Sequence, residues 1–311
     1  MQALTTFLPV IAMLGLGIFA RLRALITPEQ VGGVKQLVFG LLFPVMIFHA
    51  LFSSGLPANM VPLVVAVLGV RVILLVAGRI AGRVLGGEQG CLWQYLYPTT
   101  DGDNVVFPLY ATIVGAQFIG NIVLLDLSAM VIMFLVIPVM IDLERGGSAN
   151  PGTLLKRMFV NPTVVSMLLG LVLNVAGVYA ALIASPVADL YLGVVDMVTG
   201  PIVALVLFGI GYDLKIERGS LGNLIAALGL RSVLMGVATV AMIYLFPDQA
   251  ANREMLIALV LYFICSPGLM LASLLSPLYR DERDAGYVSA FLSLSMVVSL
   301  VWYVIVVVVF G

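Results

Sequence analysis

Thr99-Thr100-Asp101-Gly102-Asp103-Asn104-Val105-Val106-Phe107-Pro108 and, further along, Cys265-Ser266-Pro267-Gly268 interrupt two otherwise apolar segments, with Pro108 and Pro267 offset by 159 residues. Lipid offers no hydrogen bonds to freed backbone, so an unwound turn at membrane depth survives only where protein, water or a ligand satisfies it. Broken helices of this kind hold substrate in secondary transporters. Transport is therefore the first functional expectation.

The surrounding composition fits a membrane setting. Hydrophobic residues make up 62% of the chain and charged residues 10%, with a mean hydropathy of +1.17, against about 45–50% apolar in soluble domains. The net charge is −1 and the basic residues are scattered, which excludes a nucleic-acid partner and a polybasic lipid patch. The run from Leu4 to Ala20 has no basic residue ahead of it and no small-residue cleavage site behind it, so it reads as a retained first helix. Cys91 and Cys265 are expected at different depths, forming neither a disulfide framework nor a metal set.

Windows of bilayer-spanning length fall at about 3–20, 31–53, 60–79, 92–114, 118–141, 159–182, 187–211, 220–246, 255–278 and 286–310. Eleven basic residues, Arg21, Arg23, Arg79, Arg83, Arg145, Lys156, Arg157, Lys215, Arg218, Arg280 and Arg283, lie in alternate loops, whereas Arg253 stands alone on the other side. The positive-inside rule then predicts a multi-pass protein of the cell (inner) membrane with both termini outside. Lys35, Arg71 and Arg231 fall within the spans, and Lys35 is expected to snorkel inward.

Landmarks recur at near-constant offset: Pro9 and Pro162 (153), Pro44 and Pro201 (157), Arg71 and Arg231 (160), Pro108 and Pro267 (159). The chain reads as two five-helix halves, 1–145 and 146–311, forming a single membrane domain. An odd number of helices per half inserts the second half inverted relative to the first. The expected fold class is an all-α integral membrane protein of ten transmembrane helices, built as two inverted five-helix repeats with broken helices four and nine crossing.

Candidate site residues cluster at the breaks. Asp101, Asp103 and Asn104 precede Pro108, which cannot donate to the helix ladder; carboxylates beside free backbone can bind H⁺ or Na⁺, or can simply line an aqueous vestibule. Ser266 and Pro267 mirror them, either as a ligand site or as a plain proline kink. Na⁺ at Asp101, Asp103 and Ser266 is the sole metal expected, and no other cofactor is. Arg71 and Arg231, too deep to snorkel, need either an acidic partner or a substrate carboxylate. Asp126 and Asp196 are relay or cavity candidates nearer the outer side, and His49 reads as an interfacial polar residue. The small-residue ladder Gly78, Gly82, Gly86 and Gly90 predicts close helix packing. Gly209-Ile210-Gly211-Tyr212-Asp213 superficially resembles the aspartyl intramembrane protease motif but lies at an inner helix end with a tyrosine before the aspartate, so it is set aside. No nucleophile elbow or histidine cluster suggests an enzyme.

Phe43-Pro44 with Ile47-Phe48, Asn161-Pro162 with Gly170, Gly200-Pro201 with Gly209 and Leu214, Ser266-Pro267 followed by Pro277-Leu278-Tyr279 and Asp281, and Ala290-Phe291-Leu292-Ser293-Leu294-Ser295 together resemble the auxin efflux carrier family over nearly the whole chain. Counting back from Pro108-Leu109, Asp101 stands where that family usually carries an asparagine, and Val106 where it carries a glycine; the site is more acidic here. The resemblance implies crossover helices four and nine, a scaffold group and a mobile transport group, an architecture shared with bile-acid transporters, in which Na⁺ binds near the crossover. It also implies transport of small organic anions such as auxins or malonate-like carboxylates, and a homodimer. The resulting expectation is an alternating-access secondary transporter of a small carboxylate, coupled to H⁺ or Na⁺, in which Arg71 and the half-helix N-termini attract the anion. A ligand sensor or channel on the same fold is the alternative.

Overall fold

The computed structural model describes residues 2–54, 60–100, 102–146, 151–213, 221–268 and 270–310, and no strand occurs among them. The first half comprises α1 (Gln2–Leu22), α2 (Pro28–Leu37), α3 (Phe43–Phe52), α4 (Met60–Leu85), α5 (Gly90–Leu96), α6 (Phe107–Val114), α7 (Ile119–Val131) and α8 (Ile137–Glu144). There follow α9 (Pro151–Val160), α10 (Pro162–Val175), α11 (Val178–Ile183), α12 (Ala188–Thr199), α13 (Ile202–Asp213) and α14 (Leu221–Leu245). The last elements are α15 (Pro247–Ala250), α16 (Arg253–Ile264), α17 (Met270–Leu275) and α18 (Glu282–Phe310).

Six helical stretches among the described residues are long and apolar enough to cross a bilayer: Pro28–Phe52, Met60–Leu85, Ala116–Glu144, Ala188–Asp213, Asn223–Leu245 and Glu282–Phe310. They coincide with the predicted spans two, three, five, seven, eight and ten. Leu8–Leu22 and Pro162–Val175 are shorter apolar helices. The chain is thus an all-helical, multi-pass membrane protein.

Prolines shape several of these helices in one recurring way. Three π-helical turns, Val38–Leu42, Gly102–Val106 and Ile132–Val136, each stand two residues before a proline: Pro44, Pro108 and Pro138. A proline ring collides with the carbonyl four residues back, and residues 40, 104 and 134 all fall inside the widened turns. The wide turn moves that carbonyl aside while the helix continues. At α10 the proline serves instead as a start signal: Asn161 accepts from the Thr163 amide at 2.9 Å, and Pro162 occupies the first turn, where its missing donor costs nothing.

Small residues set the closest helix contacts. The inner ladder packs α4 on α5, and a Cβ on Gly82 would stand 2.0 Å from the Gly90 carbonyl. On Gly17 of α1 it would stand 2.1 Å from the Phe208 carbonyl, and on Gly211 of α13 2.1 Å from that of Leu14. The glycine–aspartate string set aside above is therefore a packing and ion-pairing element, because Asp213 also pairs with Lys35. Gly170 brings α10 against α3 in the same manner. The most extensive pairings are α1 with α13, α3 with α10 and α4 with α5.

Ends that the charge distribution assigns to one side meet in pairs. Arg21 donates to the Tyr212 carbonyl at 3.0 Å, Asn223 to that of Gly86 at 2.9 Å, and Arg280 to that of Glu88. At ends assigned to the other side, Asn174 donates to the Phe52 and Ser54 carbonyls, and Tyr110 to that of Glu254.

Candidate functional site

The first interruption begins two residues earlier than the quoted stretch. Tyr97 still has helical backbone (φ −79°, ψ −45°) and donates to the Trp93 carbonyl, but Pro98 has no N–H to continue the ladder, so α5 ends at Leu96, residues 97–100 lie outside any helix, and the chain resumes in the π turn at Gly102. Pro108 itself follows the π turn without a break in the helix, accommodated there as Pro44 and Pro138 are. The Thr99 hydroxyl turns back onto the Tyr95 carbonyl at 3.2 Å, while the main-chain carbonyls of Pro98 and Thr99 are left for other partners.

The second interruption follows α16. Cys265 is extended (φ −68°, ψ 151°), residues 266–268 are non-helical, and α17 then runs for six residues. Ser299 of α18 donates to the Ile264 carbonyl at 3.0 Å. The Ser266 hydroxyl is buried with no hydrogen-bond partner among the described residues. A helix as short as α17 aligns few peptide dipoles, so it contributes little of the positive N-terminal potential expected of it.

The two arginines supply what the unwound backbone lacks. Arg231, 5% exposed, donates through Nη2 to the Thr99 carbonyl at 3.0 Å and to the Cys265 carbonyl at 2.8 Å, so one guanidinium holds both breaks together. Arg71, 1% exposed, donates to the Pro98 carbonyl, to Thr100 Oγ1 at 2.7 Å, to Ser128 Oγ at 2.9 Å and to the Tyr262 hydroxyl, and its guanidinium sits 4.9 Å from the centre of that tyrosine ring. Neither arginine forms an ion pair among the described residues. The sequence left an acidic partner or a substrate as the alternatives; the observed partners are carbonyls and hydroxyls.

Asp126 joins the first break, more central than its sequence position suggests. It is buried on α7, its Oδ1 accepts from the Tyr262 hydroxyl at 3.3 Å, and a Cβ on Gly102 would lie 2.4 Å from its carboxyl carbon. Only glycine lets the backbone pass so close. The one Tyr262 hydroxyl proton is shared between this carboxylate and the Leu125 carbonyl at 2.9 Å. Tyr262 thus links the Arg71 cation to the Asp126 carboxyl group.

Asp101 lies outside the described residues. Asp103 and Asn104 are placed by their backbone in the π turn, and Pro267 is buried in the second break. Asp196 is exposed on α12. His49 Nδ1 lies 2.9 Å from the Tyr191 hydroxyl, between the rings of Tyr179 and Tyr191. Among the described residues no group of three or more His, Cys, Asp or Glu could hold a metal. Sequence reasoning passed over Pro98, Ser128 and Tyr262. Pro98 was a usable signal, one residue before a threonine pair in an apolar segment.

No protein-family model matches the chain. An "uncharacterized transporter" of Methanothermobacter thermautotrophicus is 21% identical over 310 residues, covering 97% of this chain and 96% of that protein. The chain is similar to a transporter along almost its entire length.

Proposed function

We propose that the chain is a secondary transporter that carries a small organic anion, an auxin-like or malonate-like carboxylate, across the cell membrane by alternating access. The observation that carries this reading is the Arg231 bridge between the Thr99 and Cys265 carbonyls, beside the unpartnered Ser266 hydroxyl. Two unwound stretches far apart in sequence meet at one buried polar locus, the arrangement that secondary transporters use at the bilayer midplane.

The wider architecture proposed is ten helices in two inverted halves, 1–145 and 146–311, with both termini outside. Reciprocal pairing supports it: α1 packs on α13 as α10 packs on α3, and α4 packs on α5 as α14 packs on α16. In this arrangement the interrupted pairs α5–α6 and α16–α17 are the fourth and ninth spans. The resemblance to auxin efflux carriers implies the same layout. Asp101, Asp103, Asn104 and Ser266 are the residues assigned to ligand or ion, and Arg71 and Arg231 are positioning residues that hold the breaks.

The coupling ion on this reading is H⁺ in preference to Na⁺. Carbonyls that a Na⁺ would recruit at the crossover are already bonded to a fixed cation, Arg231, and a carboxylate such as Asp126 or Asp101 remains to take a proton. The test is counterflow in proteoliposomes loaded with one unlabelled mono- or dicarboxylate and given a trace of the same labelled compound outside. Transient accumulation that depends on a pH gradient and is indifferent to Na⁺ is expected. Ligand binding without counterflow for every carboxylate tried would refute transport, and dependence on Na⁺ would refute the choice of ion.

A further inference from the structure

A cavity beside the second break carries an inference beyond transport. It measures about 190 Å³ and lies between α14, α16 and α18. Its walls are largely apolar, with Val240 and Trp302, 53% and 42% exposed, among the residues lining it. In a bilayer such exposed apolar side chains face hydrocarbon, so the cavity opens sideways into lipid.

Two residues lining this cavity each carry an unsatisfied polar atom. Arg231 Nε and Ser295 Oγ are buried and have no hydrogen-bond partner among the described residues, although they come from different helices, α14 and α18. The remaining hydroxyls are accounted for: Ser232 donates to the Leu228 carbonyl at 2.8 Å and Thr239 to that of Met235 at 2.9 Å. An orphaned buried donor costs its full desolvation. Here one orphan belongs to a cation whose other contacts are neutral carbonyls, and a charge at membrane depth calls for a counter-charge.

We propose that this cleft binds the carboxylate end of a single-chain amphiphile, a fatty acid drawn from the bilayer. The carboxylate accepts from Arg231 Nε and Ser295 Oγ, and the chain runs out over Val298 and Trp302. The site is distinct from the anion path between the breaks and does not depend on transport. It shares one residue with that path, because Nη2 of the same Arg231 guanidinium ties Thr99 to Cys265. Occupancy therefore reports on the same side chain that holds the crossover.

Trp302 provides the probe. Protein in phosphatidylcholine vesicles is titrated with dodecanoic acid carrying bromine on its chain, which quenches tryptophan on contact. Saturable quenching is expected; it should disappear in Trp302→Phe and be competed by unlabelled dodecanoate but not by dodecanol or acetate. Ser295→Ala should raise the half-saturating concentration about tenfold, the loss of one charge-assisted hydrogen bond. Gly236→Leu, at a position where an added Cβ meets nothing within 4 Å, should fill the cleft and abolish the saturable component. Quenching that rises linearly and equally in Gly236→Leu is bulk partitioning and overturns the site. Equal competition by dodecanol overturns carboxylate recognition, and equal competition by acetate overturns the amphiphile.

Discussion

Replacing Arg231 with methionine keeps an unbranched apolar stem and removes the group that spans both breaks. The variant loses hydrogen bonds of 3.0 and 2.8 Å and leaves the Thr99 and Cys265 carbonyls without that donor. Bonds from charged donors contribute about 1.5–3 kcal/mol each in soluble proteins, whereas interhelical bonds in membranes average about 0.6 and reach about 1.7 kcal/mol. The upper membrane figure applies here, because neither carbonyl lies in a helix that could take it back, giving about 3 kcal/mol for the pair. Removing a buried charge that has no acidic partner among the described residues offsets about 1 kcal/mol, leaving a net loss near 2 kcal/mol. Arg71→Met strips four bonds and a cation–π contact and is expected to lose about twice as much. Reversible unfolding in mixed micelles titrated with dodecyl sulfate, followed by tryptophan fluorescence, measures both. The reasoning fails if Arg231→Met is as stable as the parent, or if Arg71→Met loses no more than Arg231→Met. Because the two arginines bond adjacent residues of one stretch, the double variant should depart from additivity.

Gly82→Ala should destabilise by about 1–3 kcal/mol in the same titration, because the added methyl needs more than an ångström of separation between α4 and α5. Gly69→Ala, with nothing within 4 Å, should be neutral or stabilising by up to about 1 kcal/mol. Tyr262→Phe removes the hydroxyl that accepts from Arg71 and shares its one proton between Leu125 and Asp126; a loss of about 1–3 kcal/mol is expected, together with a shift in the pH midpoint of counterflow that a packing defect alone would not cause. Lys35→Ala breaks an ion pair whose partners are 31% and 28% exposed, so its cost should stay within about 1 kcal/mol and shrink in high salt.

Much of this architecture was legible because the governing residues are self-announcing. Six apolar runs became continuous spans, proline and glycine marked both interruptions, and the glycine ladder at 78–90 became the α4–α5 contact. Tertiary choices were not legible. Nothing in local sequence says that an arginine will meet carbonyls from two segments in preference to an acid, since the choice depends on which unwound stretch lies within reach. Asp126 and Asp196 looked equivalent, each a lone acid in an apolar run, yet one is pressed against Gly102 and the other is exposed on α12. Tyr262 was hidden because an aromatic residue in a hydrophobic helix reads as packing until its hydroxyl finds partners.

The widened turns ahead of Pro44, Pro108 and Pro138 also constrain how this chain can vary. Each accommodates a residue that a regular α-helix of the same length would lack, and everything downstream is registered on that surplus. Deleting one residue within Val38–Leu42 would leave an unbroken apolar span of adequate length, yet it would turn the following segment by about 100°. Phe43, Ile47 and Leu51, all buried against the core, would then swing away from their neighbours. Substitutions that conserve hydropathy should pass easily in these stretches, while single-residue insertions and deletions should be lethal to the fold.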